Sequence, residues 1–235
     1  MNLPLIAVGS RDSMLEFTSQ RILTVIKRHS RPRVGIAAGS AISSLLRHLI
    51  LHHGRRFNTF SHLSLVLVDE RDVETNSSER NAIQIAALLD ELSITFPLSL
   101  VGPETETSIN ATLETYSKII ASLLPFHVCL LSLGDDGHVA GIFDGCSTTT
   151  STNGVCMYSS DAPKGPPGRF SVSLMPLQRA GCRILLVFGH EKQRALKDFL
   201  CDPTSIARRW SPTHVIVDEA ALPDGIDPRL VRRGG

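Results

Sequence analysis

Short unbroken apolar runs alternate along this chain with longer stretches whose apolar residues recur every three or four positions. The runs Leu5–Val8, Val34–Ala37, Leu63–Val68, Val128–Leu133, Ile184–Phe188 and His214–Val217 read as β-strands. They are continuous rather than alternating, as expected of strands covered by helices on both faces. Between them, residues 12–28, 40–52, 81–92 and 108–124 carry helical periodicity. In the last of these, Ile109, Leu113, Tyr116, Ile120 and Leu123 fall on one face. Strands separated by amphipathic helices predict βαβ units, hence a mostly parallel, Rossmann-like sheet flanked by helices.

One region breaks the rhythm. Residues 145–168, GCSTTTSTNGVCMYSSDAPKGPPG, are rich in Ser, Thr, Pro and Gly, and the STTTST run reads as a flexible surface loop. Around it, Val155–Ser159 and Phe170–Leu174 are expected to form two short strands, antiparallel and apart from the main sheet. A linker between two domains is the competing reading. The segment after Phe170 is too small to fold alone, so a single domain over residues 1–235 is expected. Arg232–Gly235 reads as a solvated tail.

Composition narrows the function classes. With 235 residues and a formal net charge of +1, the chain has no electrostatic footprint for nucleic acid or an anionic membrane. No apolar run approaches the roughly 18 residues of a membrane span, and the first residues read as a strand rather than a signal peptide. The five cysteines are scattered and form no C-x-x-C pair. Neither a zinc site nor a disulfide framework is expected, Cys129 and Cys182 read as inert core thiols, and a reduced cytoplasmic setting follows.

Polar clusters at strand ends carry the candidate chemistry, because open α/β sheets place ligands at the carboxyl ends of their strands. Ala38-Gly39-Ser40 follows the second strand and opens a helix; it is either a phosphate turn or a plain helix cap at Ser40. Asp69-Glu70-Arg71 closes the third, where Arg71 either binds an anion bidentately or belongs to a surface ion-pair cluster. Arg80-Asn81 starts the next helix, with Asn81 as a cap or a ligand contact. Gly134-Asp135-Asp136-Gly137-His138 follows the fourth strand; a histidine beside carboxylates suits general-base work near neutral pH, and a metal role for the two aspartates lacks further ligands. Lys164 to Arg169 is either a proline-stiffened arm holding Arg169 over a site or an exposed basic loop. Gly189 to Lys192 is a further strand-to-helix turn, with Lys192 as an anion contact. His29, His48, His52, His53, His62, His127 and His214 read as structural or solvated histidines without comparable partners.

Together these clusters resemble the 6-phosphogluconolactonase family, within the wider glucosamine-6-phosphate isomerase/deaminase superfamily. The family's G-x-D-G-H-T-A-S-L-F-P motif is similar to residues 134–144, GDDGHVAGIFD, and its D-E-R-x-V-P motif to Asp69–Val73. The later S-N falls on Arg80-Asn81, G-G-S on Ala38-Gly39-Ser40, K-P-P-x-R-x-T on Lys164–Ser171, and G-x-x-K-A on Gly189–Gln193. The closing W-F-V-D-E-A-A is echoed by Thr213–Ala221. The departures are one lost glycine before Ser40, Glu74 for proline, Arg80 for serine, and Val139, Gly141 and Asp144 for Thr, Ser and Pro.

The resemblance implies the NagB/RpiA/CoA transferase-like α/β fold with a small extra β segment. It also implies a carboxylic-ester hydrolase that opens 6-phospho-D-glucono-1,5-lactone to 6-phospho-D-gluconate in the oxidative pentose phosphate pathway. On this basis His138 is the catalytic base and Asp136 its partner. Gly39, Ser40, Asp69, Arg71, Asn81, Arg169 and Lys192 bind the substrate and its phosphate. No metal or other cofactor is expected, since a lactone is already an activated ester. The expected partner is a small phosphosugar lactone, with no nucleic acid or membrane, and the chain is a monomer or small homo-oligomer. Two other readings stay open: a glucosamine-6-phosphate deaminase/isomerase-like enzyme, and a non-catalytic sugar-phosphate-binding protein of the same fold.

Overall fold

A computed structural model describes residues 4–59, 62–104, 106, 108–225 and 232–233. Eight parallel strands form the main sheet. They are β1 (Leu5–Gly9), β2 (Arg33–Ile36), β3 (Leu63–Leu67), β5 (Leu98–Val101), β6 (Val128–Ser132), β10 (Cys182–Val187), β11 (His214–Asp218) and β12 (Arg232–Arg233), in the spatial order β12-β1-β11-β10-β6-β2-β3-β5. A second, antiparallel sheet has the order β4-β9-β8-β7, from β4 (Asp69–Arg71), β7 (Thr148–Thr150), β8 (Cys156–Ser159) and β9 (Arg169–Val172).

The pleat of each strand sorts its side chains into two cores. Ala7, Leu65, Leu67, Val128 and Leu130 face one layer, where they meet α1 (Arg11–Ile26), α2 (Ser40–His53) and α3 (Asn81–Glu91). Ile6, Val8, Val66, Cys129 and Leu131 face the other. That layer holds α4 (Ile109–Leu123), Leu177 of the short α5 (Leu174–Gln178), α6 (Gln193–Cys201), α7 (Ile206–Trp210) and the inner face of the small sheet. The continuous apolar runs have this cause: successive residues point to opposite faces, and both faces are dry. Helix starts follow local chemistry. The hydroxyls of Ser10 and Ser108 accept from Ser13 and Ala111 N–H, capping α1 and α4.

Four expectations change. The charged cluster that closes the run Leu63–Val68 is itself a strand: β3 stops at Leu67, and Asp69–Arg71 crosses into the small sheet as β4. Leu98–Val101 is a strand that its polar-interrupted sequence, LSLV, did not signal. Thr148–Thr150, within the segment expected to be a flexible loop, pairs with β8 as an exposed edge strand, which suits β-branched residues. Arg232–Arg233, expected in a solvated tail, pairs in parallel with Ala7–Val8 at the edge of the main sheet; Gly234 and Gly235 lie outside the described residues.

The crossover at Leu67 leaves a backbone group to satisfy. The β5 ladder reaches only to Val66, paired with Val101, and the carbonyl of Leu67 beyond it accepts from the buried Tyr116 hydroxyl of α4 at 2.5 Å. Replacing Tyr116 by Phe keeps the ring and strands that carbonyl in a dry core. The expected cost is about 1–3 kcal/mol, read as a lower urea midpoint at unchanged m-value.

Candidate active site

Strands β10, β6, β2 and β3 are consecutive neighbours in the sheet. Because all four run parallel, their carboxyl ends meet on one edge. That edge collects the turns Gly189–Lys192, Gly134–His138, Ala38–Ser40 and Asp69–Arg71.

The turn after β6 is built around its glycines. Gly134 N–H donates to the His138 carbonyl at 2.9 Å and Gly137 N–H to the Gly134 carbonyl at 3.1 Å, with Gly137 at φ +87°. A Cβ on Gly134 would stand 2.1 Å from His138 Nδ1 and 2.6 Å from Asp136 Oδ1. Only glycine lets the imidazole and the carboxylate fold back over this backbone. Asp136 Oδ1 pairs with His138 Nδ1 and also accepts from the His138 backbone N–H at 3.3 Å. Burial raises the Asp136 pKa, but the hydrogen bond and charge of His138 outweigh it and hold the value at about 2. The Phe143 ring packs on the imidazole at a centroid distance of 4.5 Å. With Nδ1 engaged and one ring face covered, Nε2 is the atom left for a substrate.

Asp135, the neighbour without an assigned role, pairs with Lys164 of the proline-stiffened arm, and that contact holds its carboxyl below the usual range. The charge of Lys192 acts on it in the same direction. The histidine turn and the arm are therefore tied to each other.

Arg169, on β9, is buried, and Arg71 lies directly opposite it on β4. Both guanidiniums are held by carbonyls. Arg169 Nη1 donates to Pro166 and to Gly168 (3.0 Å), Arg169 Nη2 to Lys164 (3.2 Å), and Arg71 Nη1 to Glu79 (2.8 Å). Carbonyls fix direction without cancelling charge. Burial and the nearby Arg71 push the Arg169 pKa down. The charges of Asp69, Glu79 and Glu70 oppose this; like charges across an antiparallel pair repel, so an anion between the two arginines would relieve that repulsion.

Glu70 and Asp69 divide the remaining work. Glu70, 1% exposed, accepts from the backbone N–H groups of Arg71 (2.7 Å), Asn81 (2.7 Å) and Ala82 (2.9 Å), and the Arg80 guanidinium lies 3.6 Å away. It binds the N-terminus of α3 to the β4 crossover. Asp69 is buried beside it, and its Oδ1 has no hydrogen-bond partner among the described residues. Burial, and then the charge of Glu70, raise its pKa to about 6; His138, Asn81 and Arg169 oppose this. Asn81 points inward: its Nδ2 donates to the Asp69 carbonyl (3.0 Å) and Oδ2 (3.1 Å). The helix cap position falls on Arg80.

At the second strand, Gly39 (φ +134°) is the cap residue and the exposed Ser40 is the first residue of α2. No side chain caps this helix, whose start lies beside the end of β6. Ser132 Oγ there would lie 3.6 Å from a Cβ on Gly39. Asp218 at the end of β11, which the sequence did not single out, accepts from Gly189 N–H (2.9 Å), Ala221 N–H (3.0 Å) and Arg11 Nε (3.1 Å), and so braces the Lys192 turn. Its signal was the echoed V-D-E-A-A segment. The other histidines do have partners: His48 and His53 contact Glu16, His62 contacts Ser99, His127 contacts Arg33 and stacks on His29, and His214 contacts Thr213. All five cysteines are free thiols, and no described helix is long and apolar enough to cross a membrane.

Fold and site together define an α/β protein that gathers cationic groups and a His–Asp pair at the carboxyl edge of its parallel sheet. The same fold is seen in 6-phosphogluconolactonase from Trypanosoma brucei, with a TM-score of 0.76 at 23% identity over 94% of this chain and 98% of that one. The family model of glucosamine-6-phosphate isomerases/6-phosphogluconolactonase matches residues 10–221, and the chain belongs to that family. Relatives include a 6-phosphogluconolactonase from Mycobacterium leprae, 28% identical over 80% of this chain and 79% of its own. A glucosamine-6-phosphate deaminase from Oceanobacillus iheyensis is 23% identical over 94% of this chain and 95% of its own.

The raised Asp69 pKa has a consequence for stability. Folding favours the protonated carboxyl, so the benefit is complete below the ordinary value of 3.8 and is lost as pH rises through about 6. Wild type should therefore lose about 2 kcal/mol between pH 4 and 7 relative to Asp69→Asn. Urea unfolding of both proteins across that range checks it; parallel curves would remove Asp69 as the cause.

Proposed function

We propose that this chain hydrolyses 6-phospho-D-glucono-1,5-lactone to 6-phospho-D-gluconate, a step of the oxidative pentose phosphate pathway, using His138 as general base. The observation that carries the reading is the placement of an Asp136-oriented imidazole, with Nε2 open, on the sheet edge that also bears the facing Arg71 and Arg169. His138 Nε2 takes a proton from water as the oxygen attacks the lactone carbonyl carbon. The tetrahedral adduct collapses with cleavage of the bond to the ring oxygen, and the same nitrogen returns the proton to that oxygen. Asp136 stays ionised, holds the Nδ1–H tautomer and stabilises the imidazolium between the two steps.

Arg71, Arg169 and Lys192 hold the phosphate, with Gly39 and Ser40 adding N–H and hydroxyl donors at the start of α2. Binding the remote phosphate spends its free energy on fixing the carbonyl near the base. Asp69 and Asn81 form the polar wall beside the sugar. Residues from both sheets serve one site, which supports a single domain over residues 1–235.

A second reading, glucosamine-6-phosphate deamination, is favoured by the length of the deaminase match and by Asp69, whose pKa of about 6 suits proton transfer on a sugar. The Arg71–Arg169 pair and the proline-stiffened arm weigh for the lactonase. Acid release from fresh lactone, above the spontaneous rate, tests the first reading, and ammonia release from glucosamine 6-phosphate tests the second. Binding of either compound without turnover would leave a sugar-phosphate-binding protein.

His138→Ala should lower kcat for the lactone about 10²–10⁴-fold without loss of fold; near-wild-type turnover would end the assignment. Arg169→Met should lower kcat/KM about 10- to 100-fold, mainly through KM, as expected for a lost charge-assisted contact. An effect on kcat alone would place Arg169 away from the phosphate.

A further inference from the structure

At the far end of α2 from Ser40, three side chains converge that the lactone reaction does not use. His48 Nε2 and His53 Nε2 lie 3.0 Å and 2.9 Å from one oxygen of Glu16 on α1. One ligand atom from each residue falls within 4.8 Å of the other two. The 13 residue steps from Ser40 to His53 put this cluster about 20 Å along the helix from the phosphate turn.

We propose that Glu16, His48 and His53 bind a divalent transition metal ion of the zinc class, joining α1 to the C-terminal turn of α2. The donor set is two imidazoles and one carboxylate, which suits zinc and similar ions rather than magnesium or calcium. The side chains of His48 and His53 are 16% and 10% exposed, while Glu16 is 43% exposed. The site is thus walled by the rings and open on the carboxylate side, where water completes the coordination.

Three further features fit a cation. Gln20 Nε2 donates to the other Glu16 oxygen at 2.6 Å, the kind of outer contact that orients a ligating carboxylate. The last turn of α2 carries the negative end of the helix dipole, which favours positive charge there. His53 also lines an open cleft of about 610 Å³, which gives an ion a path from solvent. The 2.9–3.0 Å contacts must open slightly to admit an ion at about 2.0–2.2 Å from each donor, and both rings must carry their protons on Nδ1.

The test uses the full chain stripped with a chelator, then titrated with zinc against a chromogenic competitor and with cobalt(II) followed by its visible d–d bands. Wild type should bind a single tight equivalent and melt at higher temperature with zinc present. Glu16→Gln, which keeps the size of the side chain, and the double variant His48→Ala/His53→Ala should abolish the tight equivalent and the thermal shift. Gln20→Ala should weaken binding about 10- to 100-fold. Metal-free lactone turnover should be the same in wild type and Glu16→Gln, which keeps this outcome separate from that of the catalytic reading. No saturable zinc binding, or equal binding by wild type and Glu16→Gln, would overturn the proposal; in the latter case the ion sits on other donors, such as the exposed Cys201.

Discussion

The buried carboxylate of Glu70 fixes the place where this chain leaves its main sheet, and the site depends on that departure. Three backbone N–H groups and one guanidinium converge on it. A carboxylate so enclosed is tolerable only because these donors and a nearby positive charge compensate its lost hydration. Its bonds clamp the start of α3 against β4, and β4 in turn pairs with β9. The pairing sets Arg71 opposite Arg169, and the clamped start of α3 brings Asn81 beside Asp69. Arg80, where the resembling motif has serine, supplies the compensating charge from a buried position and donates to the Pro103 carbonyl at 2.7 Å.

Around this clamp the polar groups are held but not neutralised. The arginines are held by carbonyls, Asp69 keeps one oxygen unpaired in a dry environment, and His138 keeps Nε2 open. Each costs stability in the free protein, and such costs concentrate where a ligand will offset them. The rigid parts are elsewhere: Asp136 against His138, Lys164 against Asp135, Asp218 against the Gly189 turn. The site therefore combines fixed geometry with unspent charge. That combination favours preorganised electrostatic binding of a phosphorylated substrate.

Two departures from the family motif, at Gly141 and Val139, find local explanations. Gly141 replaces a serine where a Cβ would stand 3.0 Å from Ser171 Cβ and 3.3 Å from the Phe170 carbonyl, while Gly141 N–H donates to Ser171 Oγ at 3.2 Å. The turn has settled close onto β9, and the small residue belongs to that contact. Val139 is fully buried, so a hydrophobic residue in place of threonine joins the core. Nothing in the structure explains Asp144 in place of proline.

Most of the parallel sheet was legible in the sequence, because a strand with two dry faces must be apolar throughout and a covering helix must show its stripe. The glycine-bounded His138 turn was legible for a related reason: charged residues at the end of a buried strand are costly unless used. What the sequence hid were short, half-polar strands such as Leu98–Val101 and Thr148–Thr150, whose pairing depends on neighbours rather than on their own pattern. It also hid the Glu70 clamp, the Asp135–Lys164 tie and the Glu16–His48–His53 cluster. Local order follows from burial periodicity, which each segment carries within itself. Ionic partners 10 to 40 positions away are decided only when the sheet brings their elements together, and burial then determines how strongly those charges act.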